Sequence, residues 1–343
     1  MTWLSLQQLR FVSFLGCLAS FLPAVAFADE ASPPIRNHNP FLQVFGLPAF
    51  ETTVAVGSGE TAVRVDLDIA NHAEENSIAA ESITIDGESY YLTLAARYGL
   101  SDKLALGVDI PFVGHAGGFL DAPIENWHDL WGMSNSKRNG PRNELEFRYD
   151  NPQTGSYELV SSGFGLGDIR LNAAMPLYKS AELGREAGVR VGLKLPTGDA
   201  DELRGSGAVD YSIAVYGADD GIFGTQTISA SAVAGLLMPG TGDVLPGIQK
   251  DAVAFAGMAA AWRATESFGI SAELYAQSAY YDSELEEIGE QSVQFAFGGF
   301  YIFRSSGLRL SFALIEELFD DATTDVAMQF SIRGTVRKGR GRH

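Results

Sequence analysis

The feature that most constrains this chain is a period of two. Val326, Met328, Phe330 and Ile332 alternate with Ala327, Gln329, Ser331 and Arg333, so an extended backbone there carries one apolar and one polar face. The pattern recurs as Leu104, Leu106, Val108, Ile110 and Phe112 against Lys103, Gly107 and Asp109, and as Val189, Val191, Leu193 and Leu195 against Arg190 and Lys194. Leu308, Leu310, Phe312 and Leu314 repeat it. Further alternating stretches run over 63–69, 92–98, 169–177, 209–215, 268–276 and 293–301. Most match the roughly 9–11 residues of a tilted membrane strand. Two small-residue segments, 222–236 and 250–263, are read as strands from their spacing. The total is about twelve, and a further short strand near 50–57 would disturb that count.

The connections between these stretches sort by length. Short turns are expected at Gly99–Asp102, near 179–187, at Ala218–Gly221, Ala264–Ser267 and Arg304–Gly307. Polar loops near 71–85, 114–163, 197–207, 237–249, 280–289 and 318–324 alternate with them. A soluble sandwich has no reason to place tight turns at one end and long loops at the other, whereas an outer-membrane barrel does. The expected fold is all-β: a transmembrane antiparallel up-and-down barrel of about 12 strands with long outer loops.

Composition removes the main competitors. Hydrophobic residues make up 46% and the mean hydropathy is +0.03, yet no segment after residue 28 holds 18 unbroken apolar residues, which excludes helical spans. At the N-terminus Arg10 precedes an apolar run from Phe11 to Leu22, and Ala26-Phe27-Ala28 supplies a small-x-small cleavage pattern. Residues 1–28 are therefore read as a signal peptide. The single cysteine, Cys17, falls inside it, so the mature chain is expected to have no disulfide, no thiol catalysis and no cysteine-ligated metal. Residues 29–60 are read as a periplasmic N-terminal segment, 61–337 as the barrel and 338–343 as a basic tail. That tail either frays in the periplasm or meets anionic lipid head groups.

Charge on the polar faces points inward, because a basic side chain facing lipid near the midplane costs about 2–4 kcal/mol. The inward set is Arg64, Arg97, Lys103, Arg170, Arg190, Lys194, Arg309 and Arg333 against Asp66, Asp68, Asp109, Asp168, Asp210 and Glu273. Such a lumen is either a salt-bridged, structurally filled interior or an electrostatic constriction for small polar or ionic solutes. The formal net charge of −19 then resides mainly in loop runs such as Glu74-Glu75, Asp199 to Glu202 and Glu284 to Glu287. A pI near 4.6 disfavours nucleic-acid binding, and no segment has the spacing of a calcium loop, so neither a metal nor a cofactor is expected. Tyr90, Tyr98, Phe112, Tyr178, Tyr211, Trp262, Phe268 and Tyr301 fall near strand ends, as an interfacial girdle would.

The 114–163 connection is the longest, and such connections tend to be lids, plugs or disordered. Within it Ile124, Trp127, Leu130 and Trp131 recur at helical spacing opposite Glu125, Asn126 and Asp129. The short amphipathic helix this predicts can constrict the mouth, lie at the lipid interface, cap the loop, or offer Trp127 and Trp131 to a ligand. His128 beside Asp129, with Asp121 and Glu125 nearby, is the one arrangement able to polarise a water. A lone loop histidine more often has no such role, and no enzyme is expected.

Asn39-Pro40-Phe41, Gly46-Leu47-Pro48, the turn Tyr98-Gly99-Leu100-Ser101-Asp102, the loop run from Gly117 to Gly132 and Arg138 together resemble a family of uncharacterised proteobacterial outer-membrane barrels, of the domain of unknown function 3187 type. Gly165–Asp168 and Leu195–Asp199 are similar to segments shared by many barrels. The resemblance implies an outer-membrane location with lipids and lipopolysaccharide around the barrel, and assigns no activity. Two functions stay open: a passive channel or transporter for a small solute, and a non-conducting structural or surface-interaction barrel. A hydrolase is a distant third. A filled lumen with Arg and Asp paired across it counts against the open channel.

Overall fold

In the computed structural model, described for residues 34–51, 56–132, 142–180, 182–222, 225, 227–319 and 326–337, the strands are β1 (Glu60–Ser77), β2 (Ser82–Ser101), β3 (Leu104–Ala116), β4 (Glu146–Asn151), β5 (Gly155–Leu159), β6 (Gly163–Leu166), β7 (Arg170–Ser180) and β8 (Arg185–Lys194). They continue with β9 (Asp210–Asp219), β10 (Ile228–Met238), β11 (Val253–Arg263), β12 (Phe268–Gln277), β13 (Ser292–Phe303), β14 (Leu308–Phe319) and β15 (Val326–Arg337). Twelve of them, β1 to β3 and β7 to β15, form a closed antiparallel barrel. Closure is made by β1 on β15, with Glu60 opposite Arg337 and Asn71 opposite Val326. Every backbone edge of the ring is thus paired, the condition lipid imposes. The signal-peptide and basic-tail expectations, Cys17 and Arg138 lie outside the described residues.

The alternation read from sequence places apolar side chains outside. Leu310, Phe312, Leu314, Phe330 and Ile332 are exposed, while Arg309, Ser311, Gln329 and Ser331 are buried. Tyr98, Tyr178, Trp262, Phe268 and Tyr301 are also exposed near the short-turn end. Lys103 departs from expectation: it occupies the tight turn between β2 and β3 and is exposed, because the inward face ends before the chain reverses.

The 71–85 segment is not a loop. β1 and β2 stay paired up to Ser77 opposite Ser82, extending well above the rest of the barrel wall. Ile83 and Ile85 continue the period of two and pack with Phe147 and Tyr149 of β4, which pairs with the upper part of β2. The 114–163 connection is likewise built rather than structureless. It contains helix α1 (Asp121–Trp131) and the β4–β5 hairpin. Glu74 and Glu287, read as solvated loop charges, are buried.

The largest departure concerns residues 29–60. Among the described residues of that segment, Ile35, Phe41, Leu42, Val44, Phe45 and Phe50 are all at most 1% exposed and belong to the main hydrophobic cluster, together with Tyr275, Tyr280 and Tyr281. Its residues 34–51 lie inside the barrel, not beside it. Gly57 lies close to the β2–β3 turn; residues 39–51 lie in the lumen, and the chain reverses at Asn39 so that Ile35 accepts a backbone bond from Phe50 at 3.3 Å. The physical reason is its apolar content: these side chains, set in solvent, would forgo roughly 1.5–3 kcal/mol each. Residues 50, 51 and 56–57 form no strand, and 52–55 lie outside the described residues.

Candidate functional site: the occupied lumen

The lumen is a contact surface between the N-terminal segment and the inward face of the wall. On the short-turn side three strands place arginines at matching heights: Arg64 of β1 lies opposite Arg333 of β15, which lies opposite Arg309 of β14. Like charges in directly opposed positions repel, so this row needs anions. Asp66 supplies one, bonded to Arg64 Nε at 2.8 Å, and Arg309 packs over the Phe300 ring at 3.7 Å. The N-terminal segment supplies the other. Glu51 lies 3.0 Å from Arg64, 2.5 Å from Arg97 of β2 and 3.8 Å from Arg190 of β8. Three guanidiniums from three strands thus converge on one buried carboxylate, and charge-assisted contacts of this kind offset the cost of burying it.

Higher in the lumen the wall grips the segment's backbone. Lys194 Nζ sits between Asp168 at 2.7 Å and Asp210 at 3.1 Å and donates to the Val44 carbonyl at 3.0 Å. Asp210 also accepts from the Gly46 amide at 2.7 Å. A Cβ at Gly46 would stand 2.9 Å from Lys194 Cβ, so only glycine allows this approach without displacing the wall. Glu273 is buried on the inward face of β12.

The long-loop end closes over the segment. Phe45 stacks on Tyr280 with ring centroids 5.0 Å apart, Tyr281 donates to the Phe41 carbonyl at 3.0 Å, and Asn39 donates to the Glu287 carbonyl at 2.9 Å. Gln43 donates to the Leu203 carbonyl at 2.5 Å. Glu81, in the β1–β2 turn, accepts from Tyr149 at 2.6 Å and from the Ser283 hydroxyl and Glu284 amide at 2.8 Å each, tying that hairpin to the 280–289 loop. Burial raises the Glu81 pKa, and these hydrogen bonds outweigh it and bring it below the ordinary value.

The loop residues singled out from sequence stand apart from this mouth. Asp121 anchors α1 from its buried first turn, accepting from Asn71 Nδ2 at 3.1 Å and from the Asn143 amide at 2.8 Å. Glu88 accepts from the amides of Phe119 and Leu120, holding the chain just before the helix. Trp127, Leu130 and Trp131 are more than half exposed, and the two indoles lie 5.6 Å apart. Glu125 pairs with Arg142 on the surface. The helix therefore presents its aromatic face outward and does not enter the barrel, and His128 is not brought to the lumen.

Sequence reasoning found the charged wall residues and missed the segment that meets them. It also missed Glu51, Gly46 and a buried His72–Ser89–His115 chain, in which the Ser89 oxygen lies 2.9 Å from a nitrogen of each ring. Ser89 is fully buried and Phe147 packs edge-on to both imidazoles, so the hydroxyl has no approach for a substrate. The legible signal for the segment was the density of apolar residues between Ile35 and Phe50, too high for a solvated extension.

The fold is shared with outer-membrane channels. Over 82% of this chain and 97% of the other, it superposes on the COG4313 outer membrane channel from Pseudomonas putida F1 with a TM-score of 0.52 and 12% identity. The NanC porin aligns over 81% of this chain and 99% of its own at a TM-score of 0.44 and 8% identity. No curated protein matches the chain. Residues 11–335 match the family described as protein of unknown function DUF3187, and the chain belongs to that family.

Proposed function

We propose that this DUF3187 member is an outer-membrane channel for small solutes whose resting state is closed by its own N-terminal segment. The observation that carries the reading is the way residues 34–51 occupy the lumen: bonded to the wall through Glu51, Gly46 and Val44, and covalently continuous with β1 at the short-turn end. A permanent core has no need of buried charge to hold it, since apolar packing of equal volume is often as stable. A segment held by ion pairs at one end and by loops at the other is a device that can be released. The filled lumen and its paired Arg and Asp residues count against a constitutively open pore, which revises the passive-channel expectation. Lumen roles for Arg64, Asp66, Arg97, Asp109, Asp168, Arg170, Arg190, Lys194, Glu273, Arg309 and Arg333 belong to this proposal. So does residence in the outer membrane among lipids and lipopolysaccharide, with the outward tryptophans of α1 at the interface.

The same filled lumen supports a second reading, a non-conducting structural barrel. Planar-bilayer recording separates the two. Under the channel reading, full-length mature protein is silent or flickers and a variant lacking residues 34–51 gives discrete, sustained steps. Silence of a verified, folded deletion variant favours the structural barrel and overturns the channel.

A further inference from the structure

We infer that the closed lumen holds a binding site for a small monovalent anion, of halide or formate size, on Arg170 between the N-terminal segment and β7. Arg170 begins β7 and lies directly opposite Asp109 of β3 on one side and Lys194 of β8 on the other. Register alone would pair it with Asp109. That carboxylate is instead taken by Arg97 at 2.7 Å, with Arg36 at 3.9 Å. The next acid, Asp168, is engaged by Lys194 at 2.7 Å and by the amides of Gly198 and Ser206. Among the described residues Arg170 forms no ion pair. Its Nη2 reaches only the carbonyls of Gln43 and Phe45, each at the long distance of 3.4 Å, and its Nε is buried with no hydrogen-bond partner.

Space is present where charge is missing. Two cavities of about 30 Å³ each flank the segment, and Arg170 lines both. One is bordered by Arg36, His38, Arg170 and Arg204 with Asp168 as its acid; neither ring nitrogen of His38 makes a hydrogen bond, and its Nε2 faces the Asp68 carboxylate at 3.7 Å. Arg204 is already paired with Asp199 and Glu202, so Arg36 and Arg170 dominate this cavity. The other has Arg97, Arg170, Arg190 and Lys194 against Glu51 and Asp109. A cavity of this size takes a pair of waters or one small anion, not a sugar. Leaving a buried guanidinium donor unmet is costly, and an anion meets it with a charge-assisted bond while separating two like charges, which water does not. In a chain of net charge −19 such a cationic pocket is a local reversal.

The site deepens the channel reading by naming a solute class. It rests on that reading for transport only, because binding takes place in the closed state. The test uses intact mature protein. Crystals grown in bromide should show an anomalous peak within hydrogen-bond reach of Arg170 in the lumen. In solution the unfolding midpoint at constant ionic strength should rise by about 2–4 °C when gluconate is replaced by formate or bromide. R170Q should abolish the anion dependence, as should R36Q if R170Q does not fold. Bromide found only on the surface, or a midpoint indifferent to the anion in the wild type, means water-filled cavities and overturns the site. Neither readout depends on conductance, so a silent bilayer bears on the channel alone.

Discussion

Glu51 of the N-terminal segment lies 3.0 Å from Arg64 of the barrel wall, although the two belong to parts of the chain with opposite character, one packed by apolar side chains and one lined by charge. The same carboxylate reaches Arg97 at 2.5 Å and Arg190 at 3.8 Å. One acid on the segment thus balances cations from three strands. Its position makes it the segment's charged contact with the wall at the short-turn end, beside the backbone contacts at Val44 and Gly46.

Glu51→Gln should therefore open the barrel more readily. Removing one partner from a buried charge cluster costs about 3–5 kcal/mol, because the remaining charges stay buried and uncompensated. In bilayers the variant is expected to show a higher open probability than wild type. A Glu51→Asp variant should fall between the two. Equal silence in all three would show that Glu51 does not hold the segment.

Gly46→Val tests the same contact sterically. The added side chain meets Lys194 Cβ and Asp210, so the segment must retreat from the wall at a cost of about 1–3 kcal/mol. Protease cleavage within residues 34–51 should accelerate, with the barrel's resistance to heat in detergent preserved. A cleavage rate equal to that of wild type would mean the wall yields instead.

Acid should loosen the long-loop end. Glu81 has a native pKa below its ordinary value of about 4.3, so it binds fewer protons folded than unfolded. Its contribution is present in full above that ordinary value and is lost as pH falls through the depressed native one. Hydrogen exchange at Ser283 and Glu284, taken relative to its intrinsic rate at each pH, should rise on acidification over that window in wild type. In Glu81→Gln it should be faster at neutral pH and change less with acid.

Trp127 and Trp131 face outward, so their replacement by serine should leave barrel stability within about 0.5 kcal/mol. Tryptophan emission in wild type should be quenched by lipids brominated near the head group. Most of that quenching should vanish in the double variant, with only Trp262 remaining among the tryptophans of the described residues. Unchanged quenching would remove α1 from the interface.

The sequence by itself determined the barrel. Period-two alternation fixes which face of each strand meets lipid, and it does so locally, residue by residue, which is why Leu310 and Phe330 point outward and Arg309 and Gln329 inward as read. Alternating connection lengths then set the twelve-strand closure of β1 on β15. Tertiary structure alone decided what fills the barrel. Residues 34–51 carry no period, so although their apolar density speaks against a solvated extension, nothing local says which surface they pack against. Their place follows from partners far along the chain, such as Tyr281 bonded to Phe41 across 240 positions. The same reason hid the pairing of the inward charges: Asp109 and Arg170 are opposite each other in register, yet Asp109 pairs with Arg97, its diagonal neighbour on β2, and meets Arg36 of the segment, a choice among neighbours that strand order alone does not make.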